Sequence, residues 1–195
     1  MTITKDIFEV ENFIPKEKQQ WLINYMLKPN FPYAFTHDAV KGVKENEDII
    51  LEDDAIVGMF HTLLIDGTPC SPHFDDIKWI LDYFEPLGLK DKPINRIRIG
   101  LFFKNPFTES HEPHVDLRSD HTTAVYYVND CDGDFYFYEE SNITHPFKKP
   151  TEYTLKKKVS PAQGKLVVFN GNHYHASSYP NQKPVRLAIT FNFLP

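Results

Sequence analysis

At 195 residues, with 41% hydrophobic and 14% aromatic side chains, the chain suits a single globular domain that buries most of the surface exposed when unfolded. Its net charge of −6 argues against nucleic-acid binding, where neutralised phosphates supply most of the affinity. No apolar run approaches the ~20 residues of a membrane helix, and no signal-peptide pattern opens the sequence, so an intracellular, cytoplasmic protein without a membrane partner is expected. Cys70 and Cys131 are too few and too isolated for a disulfide framework or a zinc ribbon.

Charge is uneven along the chain. Residues 1–90 carry 8 Lys+Arg against 16 Asp+Glu, whereas residues 91–195 carry 13 against 11. Near the start, "FEVENFIPKEKQQWLINYML" predicts a short strand, a turn at Pro15 and a helix on which Trp21, Leu22, Tyr25 and Met26 recur at helical spacing. Residues 30–72 show no clear period and are expected to be loops with one or two short strands; within them "KENEDIILEDD" (44–54) reads as a solvated loop. A second helix is expected over "SPHFDDIKWILDYF", capped by Ser71, with Ile77, Ile80, Leu81 and Phe84 as its apolar stripe.

After residue 93 the texture becomes a series of short alternating runs: "INRIRIGLFF", "TTAVYYVN", "GDFYFYEE", "EYTLKKKV", "GKLVVFN" and "RLAITFNF". In the last, Leu187, Ile189, Phe191 and Phe193 share one face, and Arg186, Ala188, Thr190 and Asn192 the other. "VNDCDGDF" reads as a hairpin turn, and "SPAQGK" as a turn into a buried strand. Helices followed by many strands predict an α+β, mainly β protein: a double-stranded β-helix (jelly-roll) core with N-terminal helices packed on one sheet. One domain spans 1–195, with 1–92 as support and loops and 93–195 as the core.

"HEPHVDL" (111–117) places His114 and Asp116 on either side of a valine. In extended backbone they project from the same face and can converge on one ion. Downstream, "KLVVFNGNHYHASSYP" carries His173 and His175 on a turn after an apolar strand. Two histidines and a carboxylate with open positions form the facial arrangement of non-haem Fe(II) oxygenases. Arg186 could clamp the carboxylate of a bound acid.

Together these residues resemble the Fe(II)/2-oxoglutarate-dependent dioxygenases. The likeness is to the prolyl-4-hydroxylase-like branch and to short bacteriophage-encoded members, through "HVD", "AVYYVN", "GKLVVFNGNHYHAS" and "VRLAITFNF". The resemblance implies that 93–195 is the catalytic core and that His114, Asp116 and His175 ligate Fe(II). It further implies that Arg186 and Tyr127 hold the distal carboxylate of 2-oxoglutarate. His175, followed by Ala176, fits the pattern better than His173; His111 and His121 are read as structural. Many relatives carry Ser or Thr two residues after the arginine, whereas this chain has Ala188.

The implied activity consumes O2 and 2-oxoglutarate, releases succinate and hydroxylates a substrate, with ascorbate as a candidate reductant. A proline in a peptide or protein is the leading substrate, and a free amino acid or another peptide side chain the alternative; a phage-encoded member would work in the host cytoplasm. A cupin-like hydrolase or isomerase, a binding module without catalysis and a nucleobase demethylase compete with this reading.

Overall fold

The computed structural model describes residues 7–37, 56–106, 110–144 and 149–195. The acidic run 44–54 lies outside them. Strand β1 (Ile7–Val10) leads through Pro15 into helix α1 (Lys16–Met26). Leu22 and Met26 are fully buried, and Gln19 joins them on the inner side, donating its amide to the Ile14 carbonyl at 2.9 Å. Trp21 and Tyr25, expected in the apolar stripe, lie on its flank, stacked on one another at 4.7 Å.

Three strands follow: β2 (Ala34–Thr36), β3 (Gly58–Ile65) and β4 (Thr68–Pro69). The single long helix expected next is instead a short helix α2 (His73–Ile77) that tightens into a 3-10 segment, Lys78–Leu87. Ser71 still serves its start, accepting the His73 N–H at 3.1 Å. Ile77, Ile80 and Phe84 are buried as the stripe requires, whereas Leu81 is half-buried. Pro86 cannot supply an amide hydrogen to a continuing helix, and Gly88 ends the segment in the left-handed region at φ 68°.

Strands β5 (Ile94–Phe103), β6 (Thr122–Tyr127), β7 (Phe135–Ser141), β8 (Leu155–Val159), β9 (Leu166–Asn170), β10 (His173–Ser177) and β11 (Val185–Phe193) complete the fold. Among the described residues, the large sheet runs β1-β9-β6-β11-β5-β3-β2, with β4 beside β3, and the small sheet runs β10-β7-β8. This is the expected jelly-roll arrangement, and β1, β2 and β3 show that the N-terminal part contributes strands as well as helices. No helix among the described residues is long and apolar enough to cross a membrane.

Period-2 alternation divides the large sheet's side chains between two cores. Ile97, Ile99, Leu101, Ala124, Tyr126, Leu166, Val168, Leu187, Ile189, Phe191 and Phe193 face the helices. Phe84 reaches down between Phe191 and Phe193, with ring centroids 5.0 and 5.1 Å away. Truncating such a buried ring to alanine costs roughly 3–5 kcal/mol. On the opposite face Val125, Tyr127, Val167 and Phe169 meet Phe135, Phe137 and Val159 of the small sheet. β9 is therefore apolar on both faces because it is covered on both.

The segment 128–134 is not the expected hairpin turn, because β6 pairs with β11 and β9, while β7 pairs with β10 and β8. It carries the chain from one sheet to the other. Along the way Asn129 extends the β6–β11 ladder with its side chain, accepting the Leu187 N–H at 2.8 Å and donating to the Val185 carbonyl at 3.0 Å. The Asp132 carboxylate accepts the backbone N–H groups of Asn181, Gln182 and Lys183 at 3.2, 2.6 and 3.1 Å. Both contacts fix the entry to β11, where Arg186 sits. The turn before β9 is as expected: Gly164 has φ 80°, and the Gln19 amide lies 2.5 Å from where a Cβ would project.

Candidate active site

His114 and His175 are cross-strand neighbours. Each donates its backbone N–H to the other's carbonyl at 2.9 Å, which adds residues 111–114 to the edge of the small sheet beside β10. Opposite residues in an antiparallel pair present their side chains on the same face, and the two imidazoles stand 4.8 Å apart, centroid to centroid. Asp116, two residues further on, turns to the same side. One potential ligand atom from each of His114, Asp116 and His175 lies within 4.8 Å of the others. His173, His111 and His121 are not in this set.

The histidines are oriented for coordination. His114 Nδ1 faces the Glu112 carbonyl at 3.1 Å and His175 Nδ1 the His173 carbonyl at 3.0 Å. A carbonyl only accepts, so each Nδ1 carries the hydrogen and each Nε2 presents its lone pair. Burial lowers the pKa of both rings, that of His175 to about 4 with His114 adding to the effect, so both are neutral near pH 7.

Asp116 behaves oppositely. Burial alone would raise its pKa, but the Arg96 guanidinium, the two imidazoles and the Asn192 amide outweigh that and hold it well below the usual carboxylate range. Arg96 Nη2 donates to Oδ1 at 2.8 Å, and Asn192 Nδ2 to Oδ2 at 2.9 Å. Two neutral nitrogen donors beside one ionised, hydrogen-bonded carboxylate suit a divalent first-row metal.

These groups open into a cavity of about 80 Å³ that also holds Arg98, His111, Tyr127, Ser177 and Arg186. Arg186 is 4% exposed and lies over the Phe102 ring at 4.7 Å. Its Nη2 donates to Ser177 Oγ at 2.8 Å, while its buried Nε has no partner among the described residues. The Tyr127 hydroxyl is likewise buried without a partner among the described residues, and burial raises its pKa, keeping it a donor. Tyr126 points the other way, into the core beneath the helices. Two unsatisfied buried donors in one cavity cost free energy unless an acceptor joins them, and a carboxylate provides one.

Several site residues carry no recognisable motif. Ser177 follows His175 by two positions and brings a hydroxyl from β10 into the cavity, where it meets Arg186. His111 belongs to the cavity wall: its Nδ1 lies 3.1 Å from Ser177 Oγ, and burial together with the Arg186 charge pushes its pKa down to about 2. Since Ser177 Oγ accepts from Arg186, its own hydrogen is free to reach the neutral His111. His121 has a structural place: its ring fills the space where a Gly171 Cβ would project, 2.1 Å from Nε2. Alternation along β11 already places Asn192 on the face of Arg186; in "RIRIG" it sets Arg96 and Arg98 opposite Ile97 and Ile99, but no suspected residue on that strand marks their face as the site's.

Residues 101–194 match the 2OG-Fe(II) oxygenase superfamily. No curated protein matches the chain. Among solved structures, a Burkholderia pseudomallei oxidoreductase of the 2OG-Fe(II) oxygenase family superposes with a TM-score of 0.63 at 15% identity, over 96% of this chain and 84% of the other. The α-ketoglutarate-dependent epimerase SnoN from nogalamycin biosynthesis gives 0.64 at 13% identity, over 97% and 78%. A Trichoplax adhaerens prolyl hydroxylase, in complex with a hypoxia inducible factor peptide fragment, gives 0.63 at 16% identity, over 98% and 84%. The fold is thus shared, across nearly the whole chain, with enzymes whose reactions differ.

Proposed function

We propose that the protein is an Fe(II)- and 2-oxoglutarate-dependent oxygenase. The observation that carries this reading is the single cavity joining the His114–Asp116–His175 set to the Arg186–Tyr127 pair. His114, Asp116 and His175 would hold the iron, which, when bound, supplies the oxidising chemistry that couples decarboxylation of 2-oxoglutarate to hydroxylation of a substrate with O2. Arg186 binds the distal carboxylate of the co-substrate; Tyr127 donates to it, and Ser177 orients the guanidinium. Arg96 and Asn192 keep Asp116 ionised and aimed. Phe60, Phe102 and Phe135 narrow the cavity and exclude water from it.

A proline in a peptide or protein is the first substrate to examine, supported by the likeness of the fold to a prolyl hydroxylase that binds a peptide. Arg98 favours a second reading, the same chemistry on a small acid such as a free amino acid. In purified protein, succinate release that requires both Fe(II) and 2-oxoglutarate tests the oxygenase reading. Protein that binds a metal yet consumes no 2-oxoglutarate with any substrate offered would overturn it.

A further inference from the structure

Strand β5 presents Arg96, Arg98, Gly100 and Phe102 to the inner face, while Ile97, Ile99 and Leu101 enter the core beneath the helices. Two of these residues are arginines, and their situations differ. Arg96 is paired with Asp116 at 2.8 Å. Arg98 shares the cavity with His114, Asp116 and His175, lies opposite Thr190 in the β5–β11 register, and stacks over the Phe60 ring at 4.3 Å. Among the described residues its guanidinium has no hydrogen bond or ion pair.

That arrangement is costly without a ligand. A largely desolvated guanidinium is normally paired, and burial, with Arg96 adding its charge, lowers the pKa of Arg98 to about 10 despite Asp116. Among the described residues, the one carboxylate lining the cavity, that of Asp116, is already taken by Arg96 and Asn192. The Phe60 ring covers one side of the guanidinium without using its N–H groups, which remain for an acceptor in the cavity.

The order along the inner face of β11 separates two anion positions. Arg186 comes first, Ala188 faces Tyr127 across the β6 pairing, Thr190 faces Arg98 across the β5 pairing, and Asn192 anchors Asp116. A co-substrate acid held by Arg186 and Tyr127 therefore leaves Arg98 unclaimed, one step from the metal-ligand set.

We propose that Arg98 is the specificity-determining residue for the primary substrate and pairs with a carboxylate on it, so that the substrate is a small carboxylic acid or amino acid. This inference rests on the oxygenase reading. It takes the planar, bidentate recognition that arginine gives to carboxylates and that an amide cannot reproduce.

The test uses the whole chain loaded with Mn(II), without iron, and follows binding by thermal shift and calorimetry. Mn(II) and 2-oxoglutarate are added first, which tests the oxygenase reading alone. Then the twenty amino acids and four- to six-carbon dicarboxylic acids are compared with their carboxamides, in wild type and in Arg98→Met and Arg98→Lys. Methionine keeps an apolar stem against Phe60 and removes the charge. Wild type is expected to prefer at least one acid over its amide by roughly 10–100-fold. That preference should vanish in Arg98→Met and return in part in Arg98→Lys, while all three proteins bind Mn(II) and 2-oxoglutarate alike. Loss of 2-oxoglutarate binding in Arg98→Met would assign Arg98 to the co-substrate and overturn the proposal. Equal binding of acids and amides by wild type, or no binding of any acid in the panel, would overturn it as well. Failure of the Mn(II) and 2-oxoglutarate step itself would instead count against the oxygenase reading.

Discussion

His175 hydrogen-bonds its ring Nδ1 to the backbone carbonyl of His173 at 3.0 Å. The two histidines that compete in the sequence for one role thus have complementary ones, since the second is oriented by the main chain of the first. His173→Ala keeps that carbonyl, so the variant should bind Mn(II) with near wild-type affinity by calorimetry. His114→Ala, Asp116→Ala and His175→Ala should each lose stoichiometric binding. If His173→Ala alone lost the metal, the ligand would have to be reassigned to it.

The carboxylate end of the cavity yields a graded series. Arg186→Ala should raise the KM for 2-oxoglutarate roughly 10–100-fold, because a charge-assisted pair is lost in a poorly hydrated site. Tyr127→Phe and Ser177→Ala each remove one neutral hydroxyl and should raise it about 2–10-fold. Steady-state kinetics with 2-oxoglutarate as the varied component measures all three. An Arg186→Ala protein with unchanged KM would place the acid elsewhere.

Asn192 is fully buried and touches Asp116 rather than any site for a ligand of its own. Asn192→Ala should fold, as judged by unchanged circular dichroism, yet bind Mn(II) about 10–100-fold more weakly, the usual penalty for losing a hydrogen bond that orients a metal ligand. Unaltered affinity would show that Arg96 and the Thr123 hydroxyl suffice to aim Asp116.

Asp132 links acid to stability. Burial acts to raise its pKa, but the N–H groups of Lys183, Gln182 and Asn181 prevail, and the folded-state value is depressed. A depressed carboxyl contributes stability that is fully present above the unfolded-state pKa of about 4 and is lost as pH falls through the folded value. Asp132→Ala should therefore melt a few degrees lower than wild type at pH 7, roughly 2–4 °C per kcal/mol lost. The difference should narrow below about pH 4. Melting curves that stay equally far apart from pH 7 to pH 3 would assign the effect to packing.

Much of this was legible in the sequence because alternation reports faces. It located β5, β6, β7, β9 and β11 and put Arg186 and Asn192 on one side of β11, and the same logic brought His114 and Asp116 together. Alternation says nothing about neighbours across a ladder. Nothing in "VNDCDGDF" distinguishes a hairpin from a passage between sheets, and the β7 pairing with β10 rather than β6 depends on strands far along the chain. Ser177 was hidden for the same reason: the arginine it serves lies on a different sheet. The 3-10 geometry of Lys78–Leu87 escaped because Ile77, Ile80 and Phe84 satisfy an α-helical stripe equally well.

The position of β11 between β5 and β6 also dictates an order of events during folding. Until that strand arrives, β5 and β6 each keep an open edge, the state in which sheets are most prone to stick to other chains. Pairings so distant in sequence form slowly. The same strand carries Asn192, the anchor of Asp116, and Arg186, so neither end of the cavity is organised before it docks. On the oxygenase reading, a metal is then not a template around which the chain collapses, as zinc is in small metal-nucleated domains. It would enter a fold whose sheets are already paired, which makes metallation a late step of maturation rather than a cause of it.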